Sequence, residues 1–352
     1  MTDRAVSVFP NERRWRTIES VLQRLKRLRD RVRIDTFLAL ILLTVGIAAL
    51  LPARGAVATG VGHATTVAIG LLFFLYGARL STREAIEGLK HWRLHGTVVL
   101  ATFVLFPLLG LAIQLVPSAV LPTELKLGVL FLCCLPSTVQ SSIAFTSVAR
   151  GNVPAAICAA SLSNLLGIVI TPLLTGLLLS SQGGISGGAI VDVALQLLAP
   201  FVLGQLLRRW IGGWVTRNKK YLQVVDRGSI LLVVYAAFSE GMVEGIWGRL
   251  SPAALGALFA TCVVLLGVVL AITWFVPRRF PRADRITILF CGSKKSLASG
   301  LPMAGVLFAG PQVGLLVLPL MLFHQIQLMA CAAIAGRLAR HADEPAAAPV
   351  PA

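Results

Sequence analysis

Long apolar stretches recur along the chain, separated by short segments in which arginine, lysine, glycine and serine collect. An α-helix needs about 20 apolar residues to cross a bilayer. On that measure the pattern predicts ten membrane spans, at 36–52, 61–80, 96–116, 124–150, 153–179, 189–208, 228–246, 252–276, 285–309 and 313–335. Polar residues interrupt the fourth and the ninth. Ahead of the first span, Ile18, Val21, Leu22, Leu25 and Leu28 follow at steps of three and four among Arg and Lys. That spacing predicts an amphipathic helix lying on an anionic membrane surface, with a short coiled-coil arm as the alternative.

The Gly/Ser-rich segment 180–188 leaves five spans on each side of it. An odd number of spans per half starts the second half on the opposite face of the membrane from the first, so the two halves are expected to form inverted repeats. In each half the interruption comes at nearly the same distance from the first span. The expected fold is all-α: a basic cytoplasmic segment 1–34, a first five-helix repeat 35–180, a second five-helix repeat 188–336, and a disordered cytoplasmic tail 337–352 rich in Ala and Pro.

Composition agrees with this division. Of 352 residues 56% are hydrophobic and 13% charged, and the mean hydropathy is +0.82, whereas soluble domains carry about 25% charged residues. The net charge of +17 would suit a nucleic-acid partner only if the basic residues formed a patch. They sit instead at span ends. With both termini in the cytoplasm, 27 of the 32 Lys and Arg fall in inside segments and only Arg54, Lys126 and Arg249 outside, the asymmetry expected of a plasma-membrane (bacterial inner-membrane) protein. The basic charge therefore reports topology and contact with anionic lipid, not nucleic acid. The six cysteines all lie in apolar stretches without metal-ligand spacing, so neither disulfides nor zinc is expected. Residues 1–34 are too polar for a cleaved signal, and Arg13-Arg14 lacks a following apolar run; the N-terminus is expected to be retained.

The remaining two lysines, Lys294 and Lys295, fall inside the ninth span, in Phe290-Cys-Gly-Ser-Lys-Lys-Ser-Leu. Charges at membrane depth are costly and mark ion or substrate pathways. The alternative is that the span ends at Gly292 and the lysines snorkel to the inner surface. The fourth span carries Pro136, Ser137, Thr138, Gln140, Ser141 and Ser142. Proline ends a helix there, and the freed backbone groups survive only against protein or a wet cavity. A Pro-kinked packing helix whose hydroxyls bond back to their own backbone is the alternative.

Two interrupted helices at corresponding positions of inverted halves predict a transporter site, with Ser293, Lys294, Lys295 and Ser296 in the second interruption favouring an anion. Ser163, Asn164 and Thr171 can share a face of the fifth span toward the first interruption, or can serve helix packing. His324, Gln325 and Gln327 of the tenth span are candidate cavity-lining residues. Glu240 and Glu244 are expected to be solvated near an outer helix end, with a gate or a lysine partner as the alternative.

Four strings carry a resemblance: Leu135-Pro-Ser-Thr-Val-Gln-Ser-Ser-Ile-Ala-Phe-Thr-Ser, Ala160-Ser-Leu-Ser-Asn-Leu-Leu-Gly, Thr171-Pro-Leu-Leu and Phe290-Cys-Gly-Ser-Lys-Lys-Ser-Leu. Over about residues 30–338 the chain resembles the bile acid:sodium symporters, in a divergent bacterial branch that also resembles the seventh human member of that solute carrier family. The resemblance implies ten helices in a panel and a core domain, with spans four and nine unwound where they cross. It further implies exchange of organic anions with sodium by an elevator-like or rocking motion. Carried over, the sodium ligands lie at Ser141-Ser142, around Ser161 to Asn164, and in the second interruption. There the pattern departs. The acidic residue two positions before Gly292 is replaced by Phe290, and the amide-bearing residue two positions after it by Lys294.

The expected function is therefore secondary transport of a small organic anion, of bile-acid or sterol-like type, with Na+ or H+ as coupling ion, no other cofactor and no enzymatic activity. An ammonium can stand where a cation binds, which puts sodium coupling in question, and a buried lysine can instead exchange protons. Two other classes compete: an intramembrane hydrolase using Ser299 and His324, and a non-transporting regulatory membrane protein. The expected partners are membrane lipid and a small anionic substrate; oligomeric state is left open.

Overall fold

The computed structural model describes residues 36–79, 91–180, 187–245, 248, 250–308 and 313–340. The amphipathic helix expected over 12–33 and the tail beyond Arg340 lie outside the described residues. Contacts divide the chain into two units, Met1–Leu42 and Leu43–Ala352, and the second holds both of the expected interruptions. The regular structure of the described residues is entirely helical.

In chain order the helices are α1 (Thr36–Leu50), α2 (Gly55–Arg79), α3 (Trp92–Leu100), a π-helical segment (Ala101–Leu105), α4 (Phe106–Gln114), α5 (Thr123–Cys134), α6 (Gln140–Val148), α7 (Val153–Ser180), α8 (Gly187–Arg217), α9 (Lys219–Val243), α10 (Pro252–Phe275), α11 (Arg282–Gly292), α12 (Leu297–Leu307) and α13 (Val313–Arg340). Among the described residues six helical stretches are long and apolar enough to cross a membrane: Gly55–Arg79, Trp92–Gln114, Val153–Leu179, Lys219–Val243, Pro252–Phe275 and Val313–Arg340. The protein is a multi-pass membrane protein.

Helix ends differ from the hydropathy boundaries where charge and hydrogen bonding part company. α8 continues to Arg217, α9 begins at Lys219 and α13 runs on to Arg340. A helix keeps its backbone bonds after leaving hydrocarbon, and arginines in the last turn suit its negative end. Residues 337–340, expected in the tail, are therefore helical.

α2 and α8 approach each other closely. A Cβ at Gly77 would lie 2.0 Å from the Phe201 carbonyl oxygen, and a Cβ at Gly204 would lie 2.0 Å from the Phe74 carbonyl oxygen. Only a residue without a side chain fits at either position, as in small-residue crossings of membrane helices. Elsewhere α13 packs along α5 and also against α12, while α7 lies against α5 and α6. These contacts surround the two places where helix pairs α5/α6 and α11/α12 are separated by non-helical chain.

Candidate functional site

α5 stops at Cys134 because Pro136 has no N–H to continue the ladder and disfavours helix at Leu135, which is extended at φ −75°, ψ 156°. A helix end leaves several carbonyls without intrahelical donors. Here each finds a named partner. Leu132 O accepts from Leu135 N at 3.3 Å, Cys134 O from Thr171 Oγ1 at 2.8 Å, and Pro136 O from Ser296 N at 2.9 Å. Ser137 O accepts from Asn164 Nδ2 at 2.8 Å. Cys133 O and Leu135 O accept from the Lys295 ammonium at 2.8 and 2.7 Å. Ser137 N donates to Ser163 Oγ at 3.0 Å. One face of α7 therefore supplies Ser163, Asn164 and Thr171 to this segment, and Gly167 on the same helix makes room for the Pro136 ring.

The second segment is held the same way. α11 ends at Gly292, and α12 restarts with Ser296 as cap, its Oγ accepting from Ser299 N at 3.2 Å. Leu289 O accepts from Ser293 Oγ at 2.5 Å, Phe290 O from Ser142 Oγ at 3.0 Å and Cys291 O from Ser137 Oγ at 2.5 Å. Gln327 on α13 clamps the backbone of Lys295 from both sides: Lys295 N donates to Gln327 Oε1 at 2.9 Å, and Gln327 Nε2 donates to Lys295 O at 2.8 Å. The two interruptions thus satisfy one another and share α7 and α13 as walls.

Both lysines are fully buried, so the snorkelling alternative does not hold. Their surroundings differ. Lys295 Nζ donates to Thr102 O at 2.8 Å as well as to Cys133 O and Leu135 O, and lies 4.1 Å from the centroid of the Phe106 ring. Its three donors meet three acceptors. Thr102 O is available because the π-helical register turns Phe106 N to Ala101 O, and Pro107 has no N–H to offer. Among the described residues Lys294 Nζ by contrast reaches only Ser141 Oγ, at 3.4 Å, and the faces of Phe145 and Phe290, at 4.2 and 5.6 Å. Among the described residues no carboxylate pairs with it. A buried ammonium with one long hydrogen bond and two aromatic faces is poorly compensated, and it borders the half-buried Ser141 on α6.

Of the other residues singled out from the sequence, Thr138 Oγ1 bonds with Ser141 Oγ at 2.8 Å and Ser142 Oγ at 3.0 Å. Gln140 stands apart: it opens α6 with an exposed side chain. His324 Nδ1 accepts from Gln327 Nε2 at 2.9 Å and so reaches the second interruption through that amide. Ser299 Oγ donates to Asn164 Oδ1 at 2.8 Å and accepts from Ser296 Oγ at 3.0 Å. Its hydrogen bonds go to an amide and an alcohol rather than to an imidazole base, unlike an activated nucleophile. Sequence reasoning gave Gln327 no special weight, noted Phe290 only as a replaced acidic position, and passed over Thr102, Phe106 and Phe145. The signal for Thr102 is Pro107, five residues further on, a proline inside an apolar span.

Comparison with known proteins gives relatives throughout. An uncharacterized protein of Pseudomonas aeruginosa is 56% identical over 324 residues, covering 91% of this chain and 97% of the relative. YfeH of Escherichia coli, whose name assigns it provisionally to the symporters, is 50% identical over 316 residues, 88% of this chain and 95% of the relative. Sodium/bile acid cotransporter 7 of Rattus norvegicus is 31% identical over 312 residues, 86% of this chain and 92% of the relative. The last two names are of transporters, which removes support from the hydrolase reading. Residues 35–340 match one family along their length, and the chain belongs to that family, the SBF-like CPA transporters.

Proposed function

We propose that the protein is a secondary active transporter of a small organic anion, working by alternating access at the meeting of two broken helices. In this reading the helices form ten spans in two inverted five-helix repeats, with α5/α6 and α11/α12 as the interrupted fourth and ninth spans, which cross. Both termini lie on the cytoplasmic side of the inner membrane. The observation that carries the proposal is Lys294, a fully buried ammonium with a single long hydrogen bond beside the hydroxyl cluster of Thr138, Ser141 and Ser142. An incoming carboxylate or sulfonate would supply the missing countercharge, while the hydroxyls orient its oxygens. The bile-acid cotransporter names among the relatives favour an anion with a large apolar body.

For coupling, Lys295 already fills a cluster of three carbonyls with its ammonium, the kind of ligand set a sodium ion needs. This favours protons over sodium as the coupling ion. The test is uptake of a panel of labelled organic anions into proteoliposomes under an imposed sodium gradient or an imposed pH gradient. The expected result is flux that survives replacement of sodium by choline, follows the pH gradient, and is lost in Lys294→Ala. Wild-type flux in a folded Lys294→Ala variant would overturn the role of that lysine, and strict sodium dependence would overturn the coupling.

A further inference from the structure

At the charged end of α8 lies a cavity of about 730 Å3 walled by α2 and α8. Its lining contains Arg79, Arg208, Arg209 and Arg217 and, among the described residues, no carboxylate. Gly212 and Gly213 lie between Arg209 and Arg217 along the α8 wall. From this geometry we infer that the cavity is a binding site for the phosphodiester headgroup of an anionic phospholipid.

The arginines are arranged to present donors. Arg79 closes the α2 side of the cavity and is held there by its ion pair with Asp226 of α9, which leaves donation to Arg209 and Arg217. Arg209 lies over the Trp210 ring, 4.7 Å from its centroid, which covers the guanidinium face and leaves its N–H edge for an oxyanion. Arg217 uses Nε on Gly213 O at 3.3 Å, leaving its two terminal nitrogens. Forked guanidinium groups match phosphate oxygens in pairs, and a volume of this size suits a headgroup.

The neighbouring face of α8 identifies an amphiphile rather than a free anion. Leu203, Leu206, Trp210 and Trp214 follow at steps of three, four and four, so they form one stripe beside the arginines. All four are exposed. Leucines below and tryptophans at the height of the cavity are the arrangement that acyl chains and the headgroup zone favour. A lipid whose tails follow Leu203 and Leu206 would bring its phosphate to Arg209 and Arg217, where basic pockets between membrane helices take anionic headgroups.

The test uses the full-length protein in neutral detergent, unfolded thermally with added phosphatidylglycerol, phosphatidylcholine or inorganic phosphate. The readout is the increment over each sample's own lipid-free midpoint, so a destabilised variant still reports. Phosphatidylglycerol is expected to raise the midpoint and the other two are not, since a ligand of the folded state stabilises it. The double variant Arg209→Gln/Arg217→Gln, both at exposed positions, is expected to need about tenfold or more lipid for the same increment, each charge-assisted bond being worth on the order of tenfold. Arg209→Lys, which keeps the charge and loses the fork, is expected to fall between. Arg278→Gln/Arg279→Gln, an equal charge change elsewhere, is expected to respond as wild type. A wild-type response in the Arg209/Arg217 pair, an equal loss in the Arg278/Arg279 pair, or a full increment from inorganic phosphate alone would each overturn the inference.

Discussion

Removing the Lys295 side chain tests how the two interruptions are held. Lys295→Ala withdraws one ammonium and leaves Thr102 O, Cys133 O and Leu135 O, which it now bonds at 2.7–2.8 Å, buried without that donor. An acceptor left unsatisfied in the interior costs about 1–3 kcal/mol, so three together cost roughly 3–9 kcal/mol. Part of this is offset, because the ammonium no longer needs to be kept out of water, a penalty of several kcal/mol. Water entering the vacated space offsets more. With both offsets the net cost is expected in the lower half of that range, about 3–5 kcal/mol. At about 2–4 °C per kcal/mol, the midpoint of thermal unfolding should fall by roughly 6–20 °C.

The decisive arm is chemical rescue. Ammonium or methylammonium can re-enter the cavity left by alanine, donate to the same three carbonyls and lie against Phe106, so it should restore several degrees. Lys295→Met loses the same bonds but keeps its chain length and blocks the space, so it should be destabilised and not rescued. Thermal unfolding of the purified variants in choline chloride, with graded methylammonium, measures both. An unshifted midpoint in Lys295→Ala, or equal rescue of the alanine and methionine variants, refutes the carbonyl cage as the source of stability.

Three further outcomes rest on the same contacts. Lys294→Met should keep or raise the unfolding midpoint, because replacing an under-compensated buried charge by an apolar chain of like size is neutral or stabilising, while abolishing anion flux in proteoliposomes; a lowered midpoint with retained flux is the contrary result. Gln327→Leu removes the two bonds that clamp the Lys295 backbone and should lower the midpoint by about 1–3 kcal/mol in equivalent stability, with slowed rather than abolished uptake; unchanged stability and rate would contradict the clamp. Gly204→Ala sets a methyl 2.0 Å from the Phe74 carbonyl oxygen, so α2 and α8 must part, at a cost of about 1–3 kcal/mol or more; a wild-type melt in detergent would show that the crossing is not tight.

How much of this was legible in the sequence depended on the distance over which each feature is decided. The non-helical stretches between α5 and α6 and between α11 and α12 were legible because proline and paired lysines act on their own segment, and the face of α7 carrying Ser163, Asn164 and Thr171 followed from helical periodicity. The ends of α8, α9 and α13 were not, since hydropathy reports where hydrocarbon stops and the hydrogen-bond ladder continues past it. Thr102 was invisible for another reason. Its part is played by a backbone carbonyl freed by a change of helical register, and its side chain bonds only to Val98 O, one turn back in its own helix. Gln327 was visible as a polar residue in a span, but nothing local says that an amide 32 positions away will clasp Lys295. Gln140 shows the converse: it is polar and adjacent to the break, yet it starts a new helix facing outward.

The neighbouring lysines take different parts in the non-helical stretch between α11 and α12. Within an α-helix, successive side chains leave the axis at a fixed angle of about 100°, so neither could choose its partner independently of the other. In the non-helical stretch between Ser293 and Leu297 they diverge, one toward α6 and the Phe145 and Phe290 rings, the other toward the end of α5 and the π-helical segment. Lys295 can then neutralise the negative end of α5, where unpaired carbonyls concentrate, and pin the second interruption to the first. That leaves Lys294 as the charge not committed to structure. Were Lys295 the mobile charge, three carbonyls would lose their partner at every cycle; because Lys294 holds only one long bond, it can change partners at little structural cost.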